Sequence, residues 1–159
     1  MIRAAIACAG LAIATTATAR DTIGVYRSWG AFRDAAPARC FAIARPIAAG
    51  GRTGGFASVA TFPTRGLRNS VSIRLSRVRD RSAGVTLTVG ERRFDLVANS
   101  RDAFAADLPS DRALVTALRS GRSMSVEAVA AGGRPFADVY SLSGAATAID
   151  AAALACRGR

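Results

Sequence analysis

Residues 85–97 read V-T-L-T-V-G-E-R-R-F-D-L-V and contain the clearest strand pattern of the chain. The apolar residues from Val85 to Val89 stand at every second position and are separated by threonines, which is typical of a strand with one buried face. Gly90-Glu91 then predicts a tight hairpin turn into a second strand over residues 92–97. The centre of the sequence is therefore predicted to be antiparallel β-structure.

Similar patterns recur on both sides of this hairpin. Val71, Ile73 and Leu75 alternate with polar residues, and Met124 and Val126 share a face before the Gly132-Gly133 turn. Further short strands are predicted at 29–32, 39–45, 56–62 and 136–142. We expect the apolar phase of these elements to form the core, with buried side chains at Phe41, Ile73, Leu75, Leu87, Phe94, Leu118, Val126 and Ile149.

Two segments are predicted to be helices. The first begins at Ser110 as N-cap, with Asp111 near the positive end of the helix dipole, and ends at Gly121. The second covers residues 143–155, with Ser143 as its cap. The predicted fold class is mainly β, an antiparallel β-sandwich or partly closed barrel with two short helices.

The first nineteen residues have the pattern of an export signal. Arg3 gives a positive start, residues 4–14 are apolar, and Ala17-Thr18-Ala19 is an A-x-A cleavage triplet. We therefore predict a signal peptide over residues 1–19 and a single domain over 20–159, located in the periplasm or secreted. The apolar stretch is too short to span a bilayer, so no transmembrane span is expected after cleavage. Only four residues separate Arg3 from Cys8, which is too short an apolar region to favour lipid attachment at Cys8.

Cysteine and histidine usage narrows the chemistry of the mature chain. Cys40 and Cys156 remain after cleavage, and an oxidising compartment allows them one pairing, a disulfide. The chain contains no histidine, which excludes Ser-His-Asp and Cys-His catalysis and histidine-ligated zinc. We expect no catalytic residue, metal or cofactor. The alternative enzyme class is a hydrolase that uses carboxylates such as Glu127 and Asp138.

The chain is strongly basic, with 22 Lys+Arg, all of them arginine, against 11 Asp+Glu and a net charge of +11. The segment 65–93 is the richest in arginine. Its planar guanidiniums are candidates for an anion-binding ribbon, formed by Arg65, Arg68, Arg74, Arg77, Arg79, Arg81, Arg92 and Arg93. The alternative is that they cover solvated strands and turns, and that the arginine excess reflects a GC-rich genome.

The predicted partner is an anionic envelope component or an unidentified protein. Such a charge is attracted to lipid headgroups, lipopolysaccharide and acidic glycans, and it is compatible with peripheral membrane association. Proteins that bind single-stranded nucleic acid stack its bases on aromatic side chains. Residues 65–93 contain no aromatic residue, so nucleic acid is not the expected partner.

Several short motifs occur in an order that resembles the invasion-associated locus B family of exported bacterial proteins. They are Trp29-Gly-x-Phe32, Arg39-Cys-Phe-Ala42, Leu114-Val-x-Ala-Leu-Arg-x-Gly121 followed by Met124-Ser-Val126, and Asp138-x-Tyr-Ser-Leu-Ser-Gly144 before an Ala-rich helix that ends at Cys156. The resemblance covers roughly residues 27–157. It implies an exported, non-enzymatic periplasmic or envelope protein that acts by interaction with envelope or host components. The high arginine content and the Gly-Gly stretches depart from the family pattern, and they affect the expected binding preference more than the fold.

Overall fold

The computed structural model describes residues 20–51 and 54–157, and the predicted signal peptide lies outside these residues. The described residues form ten strands and two α-helices. The strands are β1 (Arg20–Tyr26), β2 (Trp29–Asp34), β3 (Arg39–Ala44), β4 (Phe56–Phe62), β5 (Leu67–Arg74), β6 (Val85–Val89), β7 (Arg92–Ala98), β8 (Asp102–Phe104), β9 (Ser123–Val129) and β10 (Pro135–Ser141). The helices are α1 (Leu108–Ser120) and α2 (Ala145–Ala155), and a 3₁₀ helix covers Pro63–Arg65.

All strand neighbours are antiparallel, in the order β1-β2-β3-β4-β5-β8-β7-β6-β9-β10. The sheet is not closed, and β1 and β10 are its edges. The central hairpin forms as its alternation predicts: Val85 pairs with Leu96 and Val89 with Arg92 across the turn, where Gly90 has φ +59°. The prediction of a mainly β, antiparallel domain with two short helices is confirmed.

The open sheet curls so that β10 comes close to β2 and to the segment after β3. Trp29 on β2 donates its indole N–H to the carbonyl of Ser141 on β10, at 2.9 Å, although these strands lie near opposite edges. After β3, Ile47 and Ala48 exchange backbone hydrogen bonds with Val139 of β10, at 2.7–3.3 Å. One hydrophobic core therefore receives side chains from both halves of the sheet and from both helices.

The predicted core residues are buried with one exception. Seven of the eight positions are at most 4% exposed, and Phe94 is half-buried. Phe94 has the apolar phase of β7 and packs against the core from a partly buried position, two residues from the start of that strand. The Arg92 guanidinium covers its ring at 5.4 Å.

Both helices begin at a different residue from the predicted cap. Asp107 is the N-cap of α1 and accepts a hydrogen bond from the Ser110 amide at 2.8 Å, so Ser110 is already helical. Gly144, with φ +89°, is the N-cap of α2, and Ser143 makes no capping hydrogen bond. Neither helix of the described part has the length and hydrophobicity that a membrane crossing requires.

Candidate functional site

The predicted disulfide is present and joins α2 to the sheet. Cys40 on β3 and Cys156 at the end of α2 are bonded, with their Cα atoms 5.9 Å apart. Cys40 is fully buried. The bond spans 116 residues of sequence, so it fixes the C-terminal helix against β3, a strand near the beginning of the domain's sequence.

Arg79 is one of the eight predicted anion-binding arginines, and it is buried rather than displayed. Its guanidinium donates hydrogen bonds to the carbonyls of Asn99 at 2.8 Å, Ala98 at 3.0 Å and Asp80 at 2.5 Å, and also to that of Ala83. Only 8% of the residue is exposed. Four backbone acceptors occupy this side chain, so its role is to hold the loop after β5 against the end of β7.

Arg74 and Arg77 are also engaged inside the domain. Arg74 forms an ion pair with Asp102 of β8 at 3.0 Å, and its guanidinium lies 5.9 Å from the centre of the Phe56 ring. Arg77 donates a hydrogen bond to the Gly50 carbonyl. These contacts connect β5 and its following loop to neighbouring segments, and both side chains are only half-exposed.

The remaining five predicted arginines are exposed but belong to separate parts of the surface. They are Arg65 at the end of the 3₁₀ helix, Arg68 at the start of β5, Arg81 in the loop before β6, and Arg92 and Arg93 at the start of β7. Arg65 covers the Phe62 ring at 5.5 Å. Of these five, Arg68 lines a cleft together with arginines that lie outside the 65–93 segment.

This cleft, which we call the α1 cleft, has a volume of about 570 Å³ and lies between α1 and the start of β5. Its lining residues are Gly66, Arg68, Asn69, Leu108, Arg112, Val115, Thr116 and Arg119. A smaller cavity of about 150 Å³ shares Gly66, Arg68 and Asn69 with it and also contacts Arg157 at the end of α2. Sequence reasoning missed this site, because Arg112 and Arg119 lie outside the arginine-rich segment.

Helical periodicity explains the α1 wall of the cleft. Leu108, Arg112, Val115 and Arg119 are spaced 4, 3 and 4 residues apart, so they form one stripe on α1. This stripe lies beside the apolar stripe of Leu114 and Leu118, which faces the core. The sequence pattern that would have indicated the cleft is therefore a second stripe on α1, in which arginines and apolar residues alternate.

The opposite wall is the turn that leads from the 3₁₀ helix into β5. Gly66 has φ +65° and Asn69 has φ +54°, a region that glycine and asparagine adopt most readily. The Thr61 hydroxyl accepts a hydrogen bond from the Asn69 amide at 3.3 Å. These two left-handed residues stand on either side of Leu67 and Arg68 in the sequence and make the beginning of the strand irregular. Arg68 lines the cleft from this segment.

Asp111 fixes α1 against β5 from the other side of the helix. Its buried carboxylate accepts a hydrogen bond from the Val71 amide at 2.7 Å. Burial raises the pKa of the Asp111 carboxyl above its ordinary value, and the hydrogen bonds from Val71 and Ser70 only partly oppose this effect. The residue lies in the first turn of α1, as predicted from the helix dipole, and it also bridges the helix and the sheet.

The carboxylates of the hydrolase alternative do not share a cleft. Glu127 of β9 is exposed, whereas Asp138 of β10 is fully buried. Asp138 pairs with Val126, and Glu127 pairs with Ala137, so the two acids project from opposite faces of the sheet. Asp138 accepts hydrogen bonds from the Ser76 amide at 2.8 Å, the Ser76 hydroxyl and the Gly50 amide at 3.1 Å. This geometry makes it a structural acceptor and does not match a carboxylate pair flanking a glycosidic bond.

The described residues contain no group of three or more His, Cys, Asp or Glu side chains placed to hold a metal ion. Burial raises the pKa of Tyr140, the largest buried polar side chain of β10, and the nearby Asp138 charge adds to the shift. The α1 cleft brings several charged side chains to an open surface, and a second cleft among the described residues is lined by Arg20, Arg27 and Arg45.

Comparison with known proteins identifies the family. The sequence pattern of the invasion associated locus B (IalB) protein family matches residues 31–153. The crystal structure of invasion associated protein B from Bartonella henselae is similar in fold, with a TM-score of 0.59, 20% sequence identity, and coverage of 81% of this chain and 93% of that one. A comparison with curated proteins gives no match. Because the family pattern extends over most of the domain, from β2 to α2, the chain belongs to the invasion associated locus B family.

Proposed function

We propose that this protein is exported and acts in the periplasm or at the cell surface by binding an envelope or host component, without catalysing a reaction. The observation that carries the proposal is the Cys40–Cys156 disulfide, because such bonds persist in oxidising compartments outside the cytoplasm. The export pattern of residues 1–19 and the family's name point in the same direction. The structural roles of Asp138 and Asp111 support a binding function over acid-base catalysis.

The experiment is photo-crosslinking in intact cells, followed by capture of the protein from the periplasmic fraction. We expect a crosslinked envelope or host component that is reproducibly recovered with the full-length chain. The matched control is a chain without residues 2–19, which should stay in the cytoplasm and recover no such component. Recovery of the full-length protein only from the cytoplasm, or without any crosslinked component, would contradict the proposal.

A second candidate function is electrostatic binding of anionic envelope polymers. It is favoured by the net charge of +11 and by the exposed arginines Arg81, Arg92 and Arg93. Binding to a heparin matrix or to lipopolysaccharide should weaken steeply with salt, because exposed charges are screened within about 8–10 Å at 0.1–0.15 M ionic strength. Replacing these three arginines with glutamine should lower the salt concentration of elution. Unchanged elution would show that this part of the surface is only solvated.

A further inference from the structure

We propose that the α1 cleft binds a phosphate-bearing amphiphile, with Arg68 and Arg112 holding the phosphate and Leu108 and Val115 contacting the apolar part. The inference rests on the proposed binding function and gives it a defined site and ligand class. The amphiphile is a lipid with an anionic phosphate headgroup, taken up either as a single molecule or from a membrane surface.

In the described part of the chain, the positive charges of Arg68 and Arg112 in the cleft are not neutralised by a neighbouring carboxylate. No carboxylate lines the cleft among the residues that the structure describes, and within that part of the chain neither Arg68 nor Arg112 forms an ion pair. Arg119, at the far end of the stripe, is paired with Asp150 of α2 at 2.8 Å. Two guanidiniums on opposite walls of one cleft suit a phosphate, because each presents a planar fork of donors to its oxygens.

The apolar part of the wall distinguishes this site from a simple anion site. Leu108 is 55% exposed although it is a large aliphatic side chain, and it precedes Arg112 by one helical turn. Val115 lies one turn further along the same stripe and is nearly buried, so it forms part of the floor. A ligand with a hydrocarbon portion removes this exposed apolar surface from water, which favours an amphiphile over free phosphate.

The size of the cleft agrees with a ligand larger than a phosphate ion. Its volume of about 570 Å³ lies inside the range of small-molecule sites, which is about 300–1,000 Å³. The adjoining cavity on the other side of Arg68 extends the positive surface to Arg157, which is exposed. Together these features give one phosphate position between Arg68 and Arg112 and an apolar extension along α1.

The test is calorimetric titration of the mature, disulfide-bonded protein with three soluble probes. Dihexanoyl phosphatidic acid carries both the phosphate and the chains, glycerol phosphate carries only the phosphate, and dihexanoyl phosphatidylcholine carries the same chains with a neutralised headgroup. We expect phosphatidic acid to bind at least about tenfold more tightly than either of the other probes, because only it satisfies both walls. Equal affinity for glycerol phosphate, or for phosphatidylcholine, would overturn the proposal.

Two variants locate the binding. The double variant Arg68→Gln, Arg112→Gln should weaken binding by about tenfold or more, because hydrogen bonds to charged groups are among the stronger ones. The control Arg81→Gln, Arg134→Gln removes the same charge from exposed positions outside the cleft and should keep the parent affinity. Leu108→Ser should reduce the preference for phosphatidic acid over glycerol phosphate. All five positions are exposed, so thermal unfolding should be unchanged and serves as the folding check.

If both double variants weaken binding equally, the proposal is wrong, and the charge acts diffusely as the second candidate function predicts. Vesicles of phosphatidylcholine with phosphatidic acid form the second arm of the test. Binding that depends on Arg68 and Arg112 supports the cleft in either arm, and the arm in which it occurs identifies the source of the lipid. None of these outcomes depends on the compartment or on the crosslinked component, so the cleft and the proposed function fail separately.

Discussion

At the scale of single residues, Asp138 is a buried carboxylate that connects three segments. It links β10 to the end of β5 through Ser76 and to the loop after β3 through Gly50. Asp138→Ala removes an acceptor that the buried Ser76 amide and hydroxyl and the part-buried Gly50 amide share. We expect a loss of about 2–4 kcal/mol in the free energy of unfolding, measured by urea denaturation.

The matched control is Asp95→Ala, in an exposed position of β7 where the carboxylate makes one long contact, 3.4 Å to the Thr86 hydroxyl. This variant should change the stability by less than about 0.5 kcal/mol. A similar effect of both substitutions would show that Asp138 does not hold the segments together.

Asp111 provides a prediction about pH. Burial raises the pKa of its carboxyl in the folded state, so between the ordinary value of about 3.9 and the raised value the folded protein binds more protons than the unfolded chain. Stability from this residue is therefore lost as the pH rises through that window. Asp111→Asn keeps an acceptor for Val71 and cannot ionise, so the parent should lose stability relative to this variant as the pH rises.

The control for this experiment has the opposite sign. Hydrogen bonds from Ser110 lower the pKa of the Asp107 carboxyl, so its contribution is present above the ordinary value and lost as the pH falls. The parent should therefore gain stability relative to Asp107→Asn as the pH rises. Urea midpoints of the three proteins over the acid range measure both trends, and parallel curves for the parent and Asp111→Asn would refute the first.

Arg79 and Asp111 show the limit of sequence reasoning at this scale. The sequence shows that both are charged, and it predicts an anion-binding role for Arg79 and a helix-dipole role for Asp111, but it does not predict that either is buried. Their burial depends on the backbone groups they meet, four carbonyls around Arg79 and the Val71 amide at Asp111. The carbonyls of Ala98 and Asn99 and the Val71 amide come from strands and loops distant in sequence, and no local pattern indicates them.

At the scale of elements, Gly144 controls where the β1–β2 turn meets α2. It has φ +89°, and a Cβ atom there would approach the Tyr26 carbonyl oxygen to 1.9 Å. Gly144→Ala should therefore destabilise the fold by about 2 kcal/mol or more. Gly132→Ala is the control, because its Cβ would meet nothing within 4 Å. Thermal unfolding of both variants tests this, and equal midpoints would contradict the close approach.

The disulfide is the covalent link between α2 and β3. Because it spans 116 residues, removing it with Cys40→Ala, Cys156→Ala should cost about 4–5 kcal/mol in the chain-entropy description. Hydrogen exchange should increase first in α2, whose remaining contacts with β1 to β3 are made largely by alanines. Uniform exchange rates before and after removal would show that the helix does not depend on this bond.

Alternation predicted the strands well because a half-buried strand must repeat every two residues, and β5, β6 and β7 do so. Helix starts were less predictable. Asp107 and Ser110 are both common capping residues, and Pro109 favours the earlier start because proline is accepted in the first helical turn. At α2, the left-handed Gly144 replaces a side-chain cap, and the packing of Tyr26 against it explains why glycine stands there.

At the scale of the whole molecule, the curled sheet brings together residues that are far apart in the sequence. The net charge indicated an anionic partner, and segment 65–93 contained Arg68 of the α1 cleft. Arg68 belongs to one wall of this cleft, and the opposite wall is α1, which follows β8 in the chain and packs beside β5. Grouping arginines along the chain therefore combined side chains that the fold separates, and it missed the pair that the fold brings to one cleft.

We propose that this IalB family member is an exported, disulfide-bonded binding protein. The most direct measurement is the intact mass of the protein recovered from the periplasmic fraction, before and after reduction. We predict a chain that starts at Arg20 and whose mass rises on reduction by that of two hydrogen atoms, as the Cys40–Cys156 bond opens. A chain that starts at Met1, a lipid on Cys8, or a mass that reduction leaves unchanged would contradict the account.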